Sequence, residues 1–147
     1  MFIQIAFGAG LSLANIVISA IAAMLLESVL KRIHPWLVRE PHPPKQVLLM
    51  AGVSLWVLGV VTAGVWLWAL AYRAIGAFAT LEEAVYFSLV SYTTLGFGDV
   101  LMPHGWRILA GMEAANGFLN FGLFTALLLD GLRQLRSGQR AYRGERG

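Results

Sequence analysis

The 147-residue chain contains no cysteine. Disulfides and thiolate metal sites are therefore excluded, and redox compartment leaves no trace. Charged residues make up only 13%, about half the share of an ordinary soluble domain. No long internal repeat and no low-complexity tract is present. No His/Asp/Ser grouping and no metal-ligand spacing appears, so an enzyme is not expected. No arginine ladder crosses an apolar run, which argues against a voltage sensor. A transporter would want paired repeats or several buried acids, and the spans hold only Glu113. What the chain does have is apolar residues, at 58%. That composition belongs to a membrane protein of one domain. The net charge of +3 sits at the edges of apolar runs, where it signals topology rather than nucleic-acid binding.

The apolar runs divide the chain. Residues 1–30 form an N-terminal transmembrane helix, uncharged from Phe2 to Leu26 and long enough to cross. A signal peptide is disfavoured, because no positive charge precedes the run and the run is too long. Asn15 is polar at mid-span, where a helix–helix hydrogen bond is the common use. Glu27 and Lys31 stand at i,i+4 spacing where the helix emerges. Residues 31–46 form a linker with Lys31, Arg32, Arg39 and Lys45, which marks the cytoplasmic side. Its prolines, Pro35, Pro41, Pro43 and Pro44, argue against a continuous helix. Residues 47–130 hold a second span over 47–73, a short helix over 80–93, a Gly-rich loop over 94–99 and a third span over 106–130. Trp66, Trp68 and Tyr72 read as an aromatic belt at the far end of the second span. Residues 131–147 form a basic cytoplasmic tail whose Arg133, Arg136 and Arg140 suit contact with anionic lipid. The basic residues place the N-terminus outside and the C-terminus in the cytoplasm of a multi-pass cell-membrane protein.

The stretch that organises the rest is Thr93-Thr94-Leu95-Gly96-Phe97-Gly98-Asp99. It lies in a segment too polar and Gly-rich to span. Thr80 and Glu83 fit a capping box that starts a short helix. That helix cannot cross a bilayer, so it enters and returns. Its C-terminal carbonyls then point inward and favour a cation. Gly96 and Gly98 free the backbone that follows. Irregular backbone at membrane depth is tolerated where it lines an aqueous path, and a row of carbonyls there can replace the water shell of a cation. Thr94 adds a hydroxyl at the inner end, and Asp99 lies just outside as an acidic outer mouth.

Tyr86-Phe87-Ser88-Leu89-Val90-Ser91-Tyr92-Thr93-Thr94-Leu95-Gly96-Phe97-Gly98-Asp99 resembles the pore helix and signature sequence of tetrameric potassium channels. Gly117-Phe118-Leu119-Asn120-Phe121-Gly122-Leu123-Phe124-Thr125-Ala126 resembles the inner helix of small bacterial two-helix potassium channels. The family's usual Thr-Val-Gly-Tyr-Gly is here Thr-Leu-Gly-Phe-Gly, so the aromatic lacks a hydroxyl while every carbonyl remains. The resemblance implies an all-α membrane protein: three transmembrane helices, a re-entrant pore helix and a filter loop, assembled as a homotetramer. It implies that K+ is bound by Thr94, Leu95, Gly96 and Phe97, with Gly98 completing the filter. It implies that Gly117 is a hinge and that Phe118, Phe121 and Thr125 line a cavity. The spacing of those last three agrees, since it puts them on one helix face. Gly122 could serve bending or packing. Glu113 is expected to be structural, bonded to the back of the pore helix.

The expected function is potassium-selective passive conduction, with no cofactor beyond the permeant K+. The expected partners are further copies of the chain and membrane lipids, anionic ones included, and no nucleic acid. A weakly selective cation channel and a non-conducting assembly partner stay open as alternatives.

Overall fold

The computed structural model describes residues 2–38 and 42–144. It is all-α: α1 (Phe2–Val38), α2 (His42–Ala74), α3 (Leu81–Tyr92), a 3-10 turn at His104–Trp106, and α4 (Arg107–Gly144). Three stretches are long and apolar enough to cross a membrane: Phe2–Trp36, Pro44–Ala74 and His104–Arg133. The chain is a multi-pass membrane protein. α3 has 12 residues, roughly 18 Å of helix at 1.5 Å per residue. It falls short of the ~30 Å hydrocarbon core and lies against the spans as a re-entrant element.

Contacts at the two ends give the direction of each helix. Gln4 Nε2 at the start of α1 donates to the carbonyl of Gly105, just before α4 begins. At the other end, Leu30 of α1, Leu49 of α2 and Leu132 of α4 line one shared cavity. So α1 and α4 run parallel and pack against each other, and α2 runs antiparallel to both. The N-terminus lies on the same side as the loop that follows α3.

No single helix runs through the linker over 31–46: α1 ends at Val38 and α2 begins at His42. α1 continues through Pro35 to Val38. A proline that close to a helix end forfeits one hydrogen bond, here to the carbonyl of Lys31. Pro43 and Pro44 fall in the first turn of α2, where the missing N–H has no intrahelical partner to lose. Pro41, with Arg39 and Glu40, lies outside the described residues. Lys45 of α2 donates to the Trp36 carbonyl at 2.8 Å and stands 4.6 Å above its ring, tying the helices together here. α4 runs unbroken past 130 to Gly144, so the third span and the basic stretch share one backbone. The side chains of Arg136, Arg140 and Arg143, and all of Arg146, lie outside the described residues.

The aromatic belt expected at the end of the second span needs correction. Only Trp66 looks outward, at 43% exposed, while Trp68 and Tyr72 are fully buried. They continue the face begun by Val61 and Val65, which packs on Ala84 and Phe87 of α3 and Leu109 of α4. Trp66 lies about 200° around the helix from Trp68, on the other side. Tyr72 meets Phe87 edge-on at 5.6 Å and Phe78 at 6.0 Å. In lipid these contacts gain by close packing rather than by escape from water. Close packing needs small residues. A Cβ on Gly64 of α2 would come within 2.6 Å of the Tyr92 hydroxyl. A Cβ on Gly8 of α1 would come within 2.6 Å of the Met112 sulfur.

Candidate functional site

The site begins with the cap of α3. Thr80, extended at φ −120°, ψ 157°, accepts from the Glu83 amide at 3.1 Å. Glu82 and Glu83 then occupy the first turn, at the positive end of the helix dipole. At the other end α3 stops without a glycine. Thr93 donates to the Leu89 carbonyl through its amide at 3.1 Å and its hydroxyl at 2.7 Å.

Past Thr93 the backbone alternates. Thr94, Gly96 and Gly98 have φ of 59°, 58° and 76°, while Leu95 and Phe97 between them do not share the left-handed form. Alternation of this kind turns successive N–H groups to one side and leaves the carbonyls on the other. The amide bonds agree. Thr94 donates to Ser91 at 2.9 Å, and Leu95 and Gly96 both donate to Val90, at 3.0 and 3.2 Å. The amides thus turn back toward α3, and among the described residues no backbone bond of this kind holds the carbonyls of Thr94 to Gly98. These five residues and Asp99 are exposed in the single chain. Leu95 and Phe97 are 57% and 65% exposed, unusual for apolar side chains at the centre of a site. Sequence reasoning expected backbone freedom at the two glycines. It missed that Thr94 takes the same conformation, which a residue with a Cβ adopts only when its surroundings impose it.

Asp99 accepts from the Tyr86 hydroxyl at 2.6 Å, which ties the end of the loop to the flank of α3. That bond, more than any other influence, holds the Asp99 carboxyl below the usual carboxylate range. Because Phe97 has no hydroxyl, Tyr86 supplies the phenol that clamps this loop. A tyrosine thirteen residues before an acid has no periodic signal, so the pairing was not legible in advance.

Behind α3 lies Glu113, fully buried on α4. It accepts from Tyr72 of α2 at 2.6 Å and pairs with Ser88 of α3. Ser88 also pairs with the Val65 carbonyl at 2.8 Å. A hydroxyl has one hydrogen for those two acceptors, so the cluster closes when the acid supplies the other. One residue of each pore element thus meets at a single carboxyl.

Gly117 of α4 is buried directly beneath the Tyr92 carbonyl, where a Cβ would collide with it. In this arrangement it serves close approach, and α4 runs unbroken through it. Gly122, one turn or so further on, has nothing within 4 Å. Phe118 and Phe121 are 70% and 38% exposed, and Thr125 is exposed too. The structure thus keeps all three off the packed face of α4. Thr125 returns its hydroxyl to the Phe121 carbonyl at 2.8 Å.

A family model described as "Ion channel" matches residues 48–134. The chain belongs to the ion-channel family. The match takes in α2, α3, the loop after it and the apolar part of α4, the two-helix pore unit of the potassium-channel kind. α1 lies outside the matched residues. No curated protein matches the channel, and no solved structure does.

Proposed function

We propose that the channel conducts potassium passively and selectively, as a homotetramer. The observation that carries this reading is the left-handed alternation at Thr94, Gly96 and Gly98, with the amides bonded back to Val90. It leaves the carbonyls of Thr94, Leu95, Gly96 and Phe97 on the face that neighbouring copies would share. Backbone oxygens on four such faces around an axis can stand in for the water of a dehydrated K+. The exposed Leu95 and Phe97 are then covered by neighbouring subunits. Asp99 forms an acidic ring that gathers cations at the mouth. Phe118, Phe121 and Thr125 line the cavity where hydrated ions wait. Glu113 is the structural pin behind the pore helix. No cofactor takes part, K+ being the permeant ion. Any bend of α4 at Gly117 carries the Tyr92 carbonyl with it, and Gly122 is the freer position.

The sidedness follows from charge. Lys31, Arg32, Lys45 and Arg133 gather at the end opposite the filter mouth, so that end faces the cytoplasm of a cell membrane. The N-terminus and Asp99 then face outside. Anionic lipid is the natural partner of the basic stretch beyond α4's apolar part.

Phe97 favours one second reading. Without a phenol on this residue the filter is held less stiffly, which suits a weakly selective cation channel. Reversal potentials of reconstituted protein under opposed potassium and sodium gradients separate the two. A reversal that follows potassium supports selectivity, and one that ignores it overturns it. Gly96→Ala should abolish current, because its φ of 58° disfavours a Cβ. Silence of the unaltered channel under all conditions would instead support a non-conducting assembly partner.

A further inference from the structure

Tyr92 is the last residue of α3, next to Thr93 and Thr94, and it touches every span. Gly64 of α2 makes room for its hydroxyl, and Gly117 of α4 makes room for its carbonyl. Asn120 of α4 donates to its hydroxyl at 3.0 Å. The remaining contact comes from α1, where Asn15 Nδ2 donates to the same hydroxyl at 2.9 Å. Asn15 also donates to Asn116 Oδ1. Asn116 in turn donates to the Ser12 carbonyl at 3.3 Å. Asn15, Asn116 and Asn120 are at most 3% exposed.

We propose that α1 is part of the filter apparatus: Asn15 is a positioning residue that holds Tyr92, and through it the backbone from Thr93 to Gly96, in the conducting form. This deepens, and rests on, the reading of Thr94–Gly98 as a selectivity filter. Asn15 Oδ1 is buried with no hydrogen-bond partner, a cost that an apolar residue at this position would not incur. An amide that served only to join α1 to α4 would need Asn116 and not the phenol. Instead it reaches the residue whose backbone starts the filter. The amides of Leu95 and Gly96 hang from Val90, two residues before Tyr92, so movement of the end of α3 moves them. α1 lies outside the family-matched residues, and in this chain it supplies a brace that the two-helix pore unit by itself lacks.

The test compares Asn15→Leu with the unaltered full chain in potassium-containing liposomes. Two readouts are taken: the potassium-over-sodium permeability ratio, and amide hydrogen exchange at Leu95 and Gly96. The ratio should fall about tenfold, the scale of one lost buried hydrogen bond with its partner left unpaired. Exchange at the two amides should quicken while protection in α2 is unchanged. Tyr92→Phe should do the same, and the double variant should add little to either single one. Unchanged exchange and unchanged ratio in Asn15→Leu would overturn the proposal, as would full additivity. Should Asn15→Leu fail to assemble, Asn15→Ala, which leaves space at the site, is read in its place. Failure of both to assemble would reduce Asn15 to a folding role and overturn the proposal as well. If the unaltered channel does not discriminate potassium, the filter reading has failed separately. The exchange comparison then decides whether α1 braces this loop.

Discussion

The half of the molecule around the loop after α3 and the half at the opposite end are built differently. Around that loop, aromatic rings meet edge to face, glycines admit backbone to side chain, and Tyr72 with Glu113 and Asn120 with Tyr92 are bonded across helices. At the other end the same three spans diverge around a cavity of about 480 Å³ that Leu26, Leu30, Leu49, Val53 and Leu132 help to line. Among the described residues, Glu27 and Lys31 form an ion pair there, 2.7 Å apart and largely exposed. Such surface pairs contribute about 0–1 kcal/mol. The contrast teaches where rigidity is needed. If the carbonyls of Thr94 to Phe97 bind the ion as proposed, they lose selectivity when they wander, and the elements that hold them are the tightly packed ones. The opposite end, where a cavity lies between the spans, is the half with room to move.

Substitutions at glycine should expose this contrast most strongly. Gly117→Ala should destabilise the assembled channel by about 3 kcal/mol or more, because the new Cβ meets the Tyr92 carbonyl and overpacks a closed interface. Thermal unfolding in detergent measures it, and a change under 1 kcal/mol would mean the interface is looser than described. The next effect should come from the buried acid. Glu113→Val should cost about 1–3 kcal/mol for the stranded Ser88 and Tyr72 hydroxyls, whereas Glu113→Gln, which can donate to one and accept from the other, should stay close to the unaltered channel. Equal loss in both would point to a charged carboxylate as the required species.

At the open end the sign should reverse. A Cβ on Gly131 would lie 3.6 Å from Leu30, in ordinary contact. Gly131→Ala should therefore stabilise by about 0.5–1 kcal/mol, the helix-propensity difference. Destabilisation there would erase the distinction between the halves. The smallest effect concerns the mouth. Since Tyr86 depresses the Asp99 pKa, the carboxylate and its bond persist as pH falls through the ordinary aspartate range near 3.9, and are lost only below it. Single-channel conductance should hold to that lower pH on the mouth side. In Tyr86→Phe the decline should begin at a higher pH, nearer the ordinary value.

Asn15 and Glu113 show how far reasoning from residues reached. A lone amide in an apolar run announces a partner, and a lone acid near the outer end of a span announces several. The identity of those partners had no local signal. Asn15 finds Tyr92 77 positions away, and Glu113 finds Tyr72 41 positions away. Trp68 and Tyr72 misled for a related reason. Aromatic residues near a span's end suit a headgroup belt and an interhelical core equally well, and only the position of α3 decides between them.

By itself the amino-acid sequence determined three spans, a capped helix too short to cross, and a Gly-rich turn after it. These are local matters of apolar length, hydrogen bonding at a helix start and the freedom of glycine. The tertiary structure alone decided that Thr94 joins the glycines in left-handed backbone, that Tyr86 clamps Asp99, and that α1 reaches Tyr92 at the end of α3. Those outcomes depend on which surfaces meet when the helices pack, and distance along the chain carries no record of that.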